Sequence, residues 1–93
     1  MIKFVVKRDG TKESFDPEKI KKGIRAATRK ANLSEERTVV VVEEVLAKVL
    51  QSAEGREEIP TLAIRDKILS ELDVVEPAAS AAWREYKKEQ RAG

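Results

Sequence analysis

The first fifteen residues alternate apolar and polar side chains in two short segments. Residues 2–6 (I-K-F-V-V) are rich in β-branched and aromatic side chains, and residues 12–15 (K-E-S-F) provide a return segment. The dipeptide Asp9-Gly10 between them is typical of a tight hairpin turn. The pattern therefore predicts a two-stranded β-hairpin at the start of the chain.

The apolar period then changes to that of a helix. Asp16 is a good N-cap, and Pro17 suits the first helical position, where a backbone N–H has no intrahelical partner. A first helix is predicted from Pro17 until Asn32-Leu33-Ser34 interrupts it. Its buried face is predicted from the three-and-four spacing of Ile20, Gly23, Ile24, Ala27 and Ala31. Close packing against another helix is the expected reason for Gly23, since glycine costs a helix about 1 kcal/mol relative to alanine.

A second helix is predicted after Ser34, which resembles an N-cap because Glu35 and Glu36 follow it. Four consecutive valines at 39–42 are compatible with a strand, but the helical period continues for about four turns beyond them. Glu54-Gly55-Arg56 ends this helix. The predicted buried stripe is Val39, Val42, Leu46, Val49, Leu50 and Ala53.

The remaining chain predicts one strand and two helices. Residues 57–60 suit an edge strand, where Pro60 does least harm, and Thr61 is the expected N-cap of a third helix. That helix would bury Ile64, Ile68 and Leu72. A fourth helix, from Pro77 to Gln90, would bury Ala79, Ala82, Trp83 and Tyr86. The predicted fold is α+β, a four-helix bundle capped by a three-stranded sheet in the order β-β-α-α-β-α-α, forming one domain over residues 1–93.

Composition excludes several function classes. The sequence has no cysteine and no histidine, which excludes disulfides, thiolate zinc sites and serine–histidine or cysteine–histidine catalysis. It has no G-x-x-x-x-G-K-[ST] phosphate loop, so we expect that the protein is not an enzyme. No apolar run is long enough to cross a membrane, and a cytoplasmic location is expected. Nineteen basic and seventeen acidic residues leave a net charge of +2, so nucleic acid is an unlikely partner and a small anion the expected one.

Charged residues surround the predicted hairpin. Lys7 and Arg8 precede its turn, and Lys19 lies in the first turn of helix one, where helix geometry and dipole favour an anion. These cations suit the phosphates of a nucleoside triphosphate. Glu13 would be repelled by phosphates and fits better as the acceptor of a hydrogen bond from an adenine amino group, with Val5 or Val6 against the ring.

The segment from Val5 to Ile20 fits the pattern V-x-K-R-D-G-x-x-E-x-F-D-x-x-K-I, which resembles the start of the ATP-cone domain. That family is an adenine-nucleotide-binding regulatory module of ribonucleotide reductases and of the repressor of their transcription. Ile59-Pro60-Thr61 and the A-A-W-R-E-Y-K-K segment near the end agree with the resemblance. It implies the same fold and a nucleotide site made of Val5, Lys7, Arg8, Glu13, Asp16, Lys19, Ile20, Thr61 and Lys87.

The resemblance also implies a function. ATP or dATP would bind with Mg2+ as an effector, without hydrolysis, and the readout would be self-association or docking on a ribonucleotide reductase or a transcriptional regulator. Within the site, Val5, Lys7 and Arg8 would form part of the surroundings of the adenine and the phosphates. Glu13 would read the base, and Lys19 would bind phosphates. Thr61 and Lys87 would close the site from helices three and four. Lys88 is the alternative to Lys87.

Plainer alternatives remain open from the sequence. Lys7 and Arg8 would be ordinary solvated charges in an arbitrary protein, and Glu13 would be a cross-strand partner for a lysine. Asp16 and Thr61 would be helix caps only. For the whole chain, the alternatives are a protein–protein interaction module that binds no nucleotide, and a small nucleic-acid-binding domain that uses the hairpin and the C-terminal lysines.

Overall fold

The predicted order of elements is confirmed by a computed structural model, which describes the backbone of residues 2–92 and the side chains of residues 2–85. The fold is α+β, with four helices and a three-stranded sheet. The elements are β1 (Phe4–Val6), β2 (Lys12–Ser14), α1 (Pro17–Lys30), α2 (Glu35–Ser52), β3 (Glu58–Pro60), α3 (Thr61–Val75) and α4 (Pro77–Ala92).

The sheet is mixed, with the strand order β2-β1-β3. The hairpin pairs β1 with β2 in antiparallel register, and β3 joins the other side of β1 in parallel register. Pro60 therefore lies in an edge strand, as predicted, where its missing N–H interrupts no ladder. On the outer surface of the sheet, Lys12 forms an ion pair with Glu58 that joins the two outer strands across β1.

Local sequence signals set the ends of α1 and the start of α2. The Asp16 side chain accepts a hydrogen bond from the backbone N–H of Glu18, and the Ser34 hydroxyl accepts one from the N–H of Arg37. Asn32 adopts a positive φ of 62°. The N–H of Asn32 binds the carbonyl of Arg29, and the next N–H binds the carbonyl of Thr28, so α1 ends in a Schellman motif.

The four helices form a square bundle. Each of α1 and α3 packs against both α2 and α4, and α3 also contacts β3. Gly23 lies where α1 meets α4, and a Cβ atom at this position would approach the Trp83 ring to 3.0 Å. Close packing of α1 and α4 is therefore confirmed as the reason for glycine here. The core is made chiefly of Ile24, Val41, Val45, Val49, Ile68 and Leu72.

The buried face of α2 differs from the prediction. Val39 is 55% exposed and Leu50 is 42% exposed, whereas Val41 and Val45 are fully buried. The hydroxyl-bearing Thr38 is also buried. Four adjacent valines allow more than one apolar stripe, and packing against α1 and α3 selects a stripe rotated by about one residue. The assignment of α2 as a helix is confirmed, but the prediction that Val39 and Leu50 are core residues is wrong.

The start of α3 is a second correction. Pro60, the last residue of β3, is the N-cap, and its side chain provides no capping hydrogen bond. Thr61 is therefore the first helical residue and is not the cap, because the strand runs into the helix without an intervening loop. On α4, Ala79, Ala82 and Trp83 are buried as predicted. The predicted burial of Tyr86 lies outside the described side chains.

Candidate functional site

A cavity of about 600 Å³ lies between the sheet and the helical bundle. This is within the usual range for small-molecule sites, roughly 300–1,000 Å³. Its lining includes all but one of the residues predicted from the sequence: Val5, Lys7, Arg8, Glu13, Asp16, Lys19, Ile20 and Thr61. The exception, Lys87, lies outside the described side chains. The structure thus brings the predicted residues together, while their role in nucleotide binding stays a prediction.

The hairpin register explains why one face of the sheet lines the cavity. Val5 pairs directly with Glu13 across the two strands. Side chains two positions apart on a strand share a face, so Lys7 and Phe15 lie on the same side as this pair. The hairpin therefore presents a carboxylate, an ammonium group and two apolar side chains to the cavity.

Glu13 forms ion pairs with two lysines of the cavity. Its Oε1 atom lies 3.3 Å from Lys7 Nζ and 3.9 Å from Lys19 Nζ. The plainer prediction for Glu13, a cross-strand lysine partner, is thus confirmed. Because these side chains are between 42% and 69% exposed, each pair contributes only about 0–1 kcal/mol. The free energy that a polyanion must supply to separate the lysines from Glu13 is therefore small.

The tip of the hairpin is held by its own hydrogen bonds. Gly10 has a φ of 88°, a left-handed conformation that favours glycine, and its N–H donates to the carbonyl of Lys7. The hydroxyl and the N–H of Thr11 both donate to Asp9 Oδ1, at 2.6 and 3.0 Å. These hydrogen bonds hold the pKa of Asp9 below its ordinary value, the Thr11 hydroxyl having the largest effect. The turn that carries Lys7 and Arg8 is therefore well fixed.

Asp16 has a structural reason to be present, because it caps α1 through its 3.0 Å hydrogen bond from the N–H of Glu18. It also lines the cavity together with Lys19 and Ile20, so the N-terminal end of α1 faces this space. Thr61, which is not a cap, lines the cavity as a half-buried residue of α3. This leaves Thr61 with no capping role in the fold.

Apolar side chains that sequence reasoning did not place in the site form the rest of its wall. They are Phe15, Ile64, Ile68 and Trp83. Ile64, Ile68 and Trp83 were predicted only as core residues, and they are indeed buried. They are the part of the core that borders the cavity, so the site has an apolar side suited to the face of a planar ring.

Arg65 is the basic cavity residue that the sequence analysis missed. Its Nε atom is buried and has no hydrogen-bond acceptor among the described residues. A buried polar group without a partner costs about 1–3 kcal/mol, so the fold leaves this donor unsatisfied at a cost. The available signal was its spacing: Arg65 lies one helical turn after Thr61 and therefore on the same face of α3.

The cavity carboxylates are poorly suited to holding a metal ion by themselves. Asp9 is bound to Thr11, Asp16 caps α1, and Glu13 is paired with lysines. Among the described residues, no group of three or more aspartates or glutamates is arranged to bind a metal.

Within residues 2–92, no helix has both the length and the apolar character needed to cross a bilayer.

The chain is similar in sequence to known proteins. The family model of the ATP cone domain matches residues 3–92. The chain is 33% identical over 88 residues to the transcriptional repressor NrdR of Bdellovibrio bacteriovorus, a match that covers 90% of this chain and 44% of that protein. It is 42% identical over 78 residues to the protein of the same name from Rhodopirellula baltica, covering 81% of this chain and 47% of that protein.

A third relative, the transcriptional repressor NrdR of Thermosipho melanesiensis, is 39% identical over 69 residues, which is 74% of this chain and 44% of that protein. The chain thus spans about half the length of these curated relatives. Because the relatives are named as transcriptional repressors, they give no support to the expectation that nucleic acid is an unlikely partner. The match over nearly the whole sequence shows that the chain belongs to the ATP cone domain family.

Proposed function

We propose that this chain binds an adenine nucleotide, ATP or dATP, in the cavity between sheet and bundle and responds to it as a regulatory effector without hydrolysing it. Membership of the ATP cone domain family supports a nucleotide-binding regulatory module. The observation that carries the proposal is the convergence of cations and an apolar wall on one cavity of about 600 Å³.

The charges of the cavity support an orientation for the ligand. Lys7 and Lys19 approach Glu13 from the hairpin and from α1, and Arg8 follows Lys7 at the turn. On binding, the phosphates would take the place of the Glu13 carboxylate beside the lysines. Glu13 would then be released to accept a hydrogen bond from the adenine amino group, the role that the family resemblance implies.

Arg65 would add a charged donor from the bundle side. A hydrogen bond from a charged donor contributes about 1.5–3 kcal/mol, more than a neutral one, and the Arg65 guanidinium would find such an acceptor in the ligand. With Thr61 one turn before it, α3 would contact the nucleotide on the side opposite the hairpin. The apolar wall of Ile64, Ile68 and Trp83 would pack against the base or sugar.

The surroundings of the phosphates support binding without hydrolysis. Asp9 and Asp16 are held by hydrogen bonds within the chain, and Glu13 would be held by the adenine amino group, so none of these three carboxylates would be free to activate a water molecule or to hold a catalytic metal. A Mg2+ ion that accompanies the nucleotide would be held by phosphate oxygens and water, as is usual for this ion. The nucleotide would therefore leave as it entered, and its effect would come from binding alone.

Regulation requires that the nucleotide favour one conformation or assembly over another, typically by 1–3 kcal/mol. A module of this size has its readout at an interface, with a second copy, a ribonucleotide reductase or a transcriptional regulator. Relatives named as transcriptional repressors favour the last of these as the setting in which such a module acts. The experiment below therefore also tests whether the chain binds nucleic acid directly.

Isothermal titration calorimetry with ATP, dATP, GTP and a short duplex oligonucleotide tests the proposal. We expect saturable binding of the adenine nucleotides, weaker binding of GTP, and about tenfold weaker ATP binding in Lys7→Ala and in Lys19→Ala. Glu54→Ala is the matched control, because Glu54 is exposed and lies outside the cavity. ATP affinity that is unchanged in both lysine variants would reject the site, and binding of the oligonucleotide alone would reject the function.

A further inference from the structure

The outer face of α1 carries three cations that the cavity does not use. Lys22, Arg25 and Arg29 are exposed, follow one another at three- and four-residue spacing, and form no ion pair with any side chain that the structure describes. Residues two apart on a helix lie about 200° apart. Because Gly23 faces Trp83 of α4, Arg25 points away from α4 and out of the bundle.

The outer face of α2 carries the complementary set. Glu36, Val39 and Glu43 are exposed at the same spacing, and the two glutamates form no ion pair within the described part of the chain. Arg37 binds Glu76 at the end of α3, so Val39, two positions later, points away from α3. Val39 is a large apolar side chain, 55% exposed. Both sets therefore lie on the side of the bundle made by α1 and α2 alone, here called the α1–α2 face.

The register of the two helices makes this face complementary to itself. Residues 31–34 connect α1 to α2, and so short a connection makes packed helices antiparallel. Arg29 and Glu36 lie equally far from the centre of the connection, and so do Lys22 and Glu43. Arg29 and Lys22 therefore each lie level with a carboxylate of α2 in the same chain, one helix width away, and Arg25 lies level with Val40.

We propose that the α1–α2 face is a docking site for a second copy of this chain. Consider a two-fold axis that runs parallel to the helices through the middle of this face. Rotation about it places α1 of each copy on α2 of the other and leaves the position of every residue along the helix axis unchanged. Arg29 of one copy then meets Glu36 of the second, and Lys22 meets Glu43, and symmetry makes each contact twice. Val39 is covered in both copies, and every neighbouring pair of helices in the four-helix layer is antiparallel.

The size of the face sets the strength of the association. The 14 residues of α1 span about 21 Å, and two helices side by side make a face about 20 Å wide. Two copies would bury well below the roughly 1,600 Å² of a standard stable interface. The dimer is therefore weak and reversible, and its charge pairs make it sensitive to salt.

Sedimentation velocity over a series of protein concentrations, at low salt and without nucleotide, tests this face. We expect a monomer–dimer equilibrium that stops at two copies, because the two-fold contact is closed. Arg29→Glu and Glu36→Arg each turn two attractions into two repulsions and should each weaken the dimer roughly 30-fold. In an equimolar mixture of these two variants, both contacts regain opposite charges, so the mixture should dimerise as the wild type does.

Lys48→Glu is the matched control, since Lys48 is exposed on α2 but points away from the α1–α2 face. It should leave the dimer unchanged, and thermal unfolding of each variant checks that the fold is intact. A wild type that stays monomeric at every concentration overturns the proposal. So does a mixture that fails to recover the dimer. These residues lie outside the cavity, so neither result depends on nucleotide binding.

Discussion

Replacing Arg65 by methionine should make the free protein more stable and its complex with ATP less stable. Arg65 lines the cavity, and its buried Nε has no acceptor in the part of the chain that the structure describes. Methionine keeps an unbranched stem of similar length, a good helix propensity and the packing against the cavity wall. The substitution therefore removes the guanidinium with little other change.

The effect on the free protein follows from the unsatisfied donor. Leaving a buried polar group without a partner costs about 1–3 kcal/mol, and part of this is recovered when the group is removed. Taking about 1 kcal/mol as the gain, the midpoint of thermal unfolding should rise by about 4–8 °C for a chain of this size. A structural role for Arg65 would instead lower the midpoint.

The effect on the complex has the opposite sign. Loss of a charged hydrogen bond worth about 1.5–3 kcal/mol should weaken ATP binding about 10- to 150-fold. A ligand stabilises the folded state according to its concentration relative to Kd, so ATP should raise the midpoint less in Arg65→Met than in the wild type. Differential scanning calorimetry with and without saturating ATP should thus show the order of the two proteins reversing.

The control for this experiment is Arg56→Met, because Arg56 is exposed before β3 and does not line the cavity. It loses the same charge, so any general effect of net charge on ATP binding appears in both variants. The reasoning about Arg65 fails if Arg65→Met lowers the midpoint of the free protein while its ATP affinity matches that of Arg56→Met. Arg65 would then be part of the fold and no part of the site.

Three further predictions address other residues. Glu13→Gln should tighten binding of inorganic tripolyphosphate, by releasing the lysines, and reduce the preference for ATP over GTP; a tripolyphosphate affinity that stays constant in calorimetry would contradict the competition between Glu13 and phosphate. Gly23→Ala should lower the free energy of unfolding by about 1 kcal/mol, because crowding against Trp83 at 3.0 Å outweighs the gain in helix propensity; a more stable variant in urea unfolding would show that the ring moves away freely. Hydrogen bonds from Arg84 and Ser80 hold the pKa of Asp73 below its ordinary 3.8, so their contribution is present above that pH and is lost as the pH falls through the lower folded value. Asp73→Asn should therefore flatten the acid side of the stability profile, whereas equal slopes for this variant and the wild type would show that the shift is absent.

The sequence predicts most accurately where a signal is local. Asp16 and Ser34 cap helices because a side-chain oxygen two or three residues before an N–H can reach it whatever the rest of the chain does. The turn at Asp9-Gly10 is of the same kind, as is the edge position of Pro60. The hairpin also fixes which side chains share a face, so Lys7 and Glu13 were correctly brought to the same place.

Features set by tertiary packing were harder to predict. The buried face of α2 is determined by its contacts with α1 and α3. A run of four valines is compatible with more than one buried face, so the sequence pattern does not identify the correct one. Thr61 resembled a cap because threonine is a common cap, but the position of the helix start depends on how β3 joins the sheet. Arg65 was missed because burial of its Nε depends on the walls around it, and nothing beside it in the sequence reports that burial.

The position of Trp83 provides an optical reporter of the cavity. It is the only tryptophan in the sequence, it is 5% exposed, and it both lines the cavity and packs on Gly23. Indole emission depends on the polarity and the contacts of the ring, so a ligand that displaces water from this wall should change the emission spectrum without any attached dye. The native chain therefore permits occupancy of the cavity to be followed by fluorescence on the timescale of mixing.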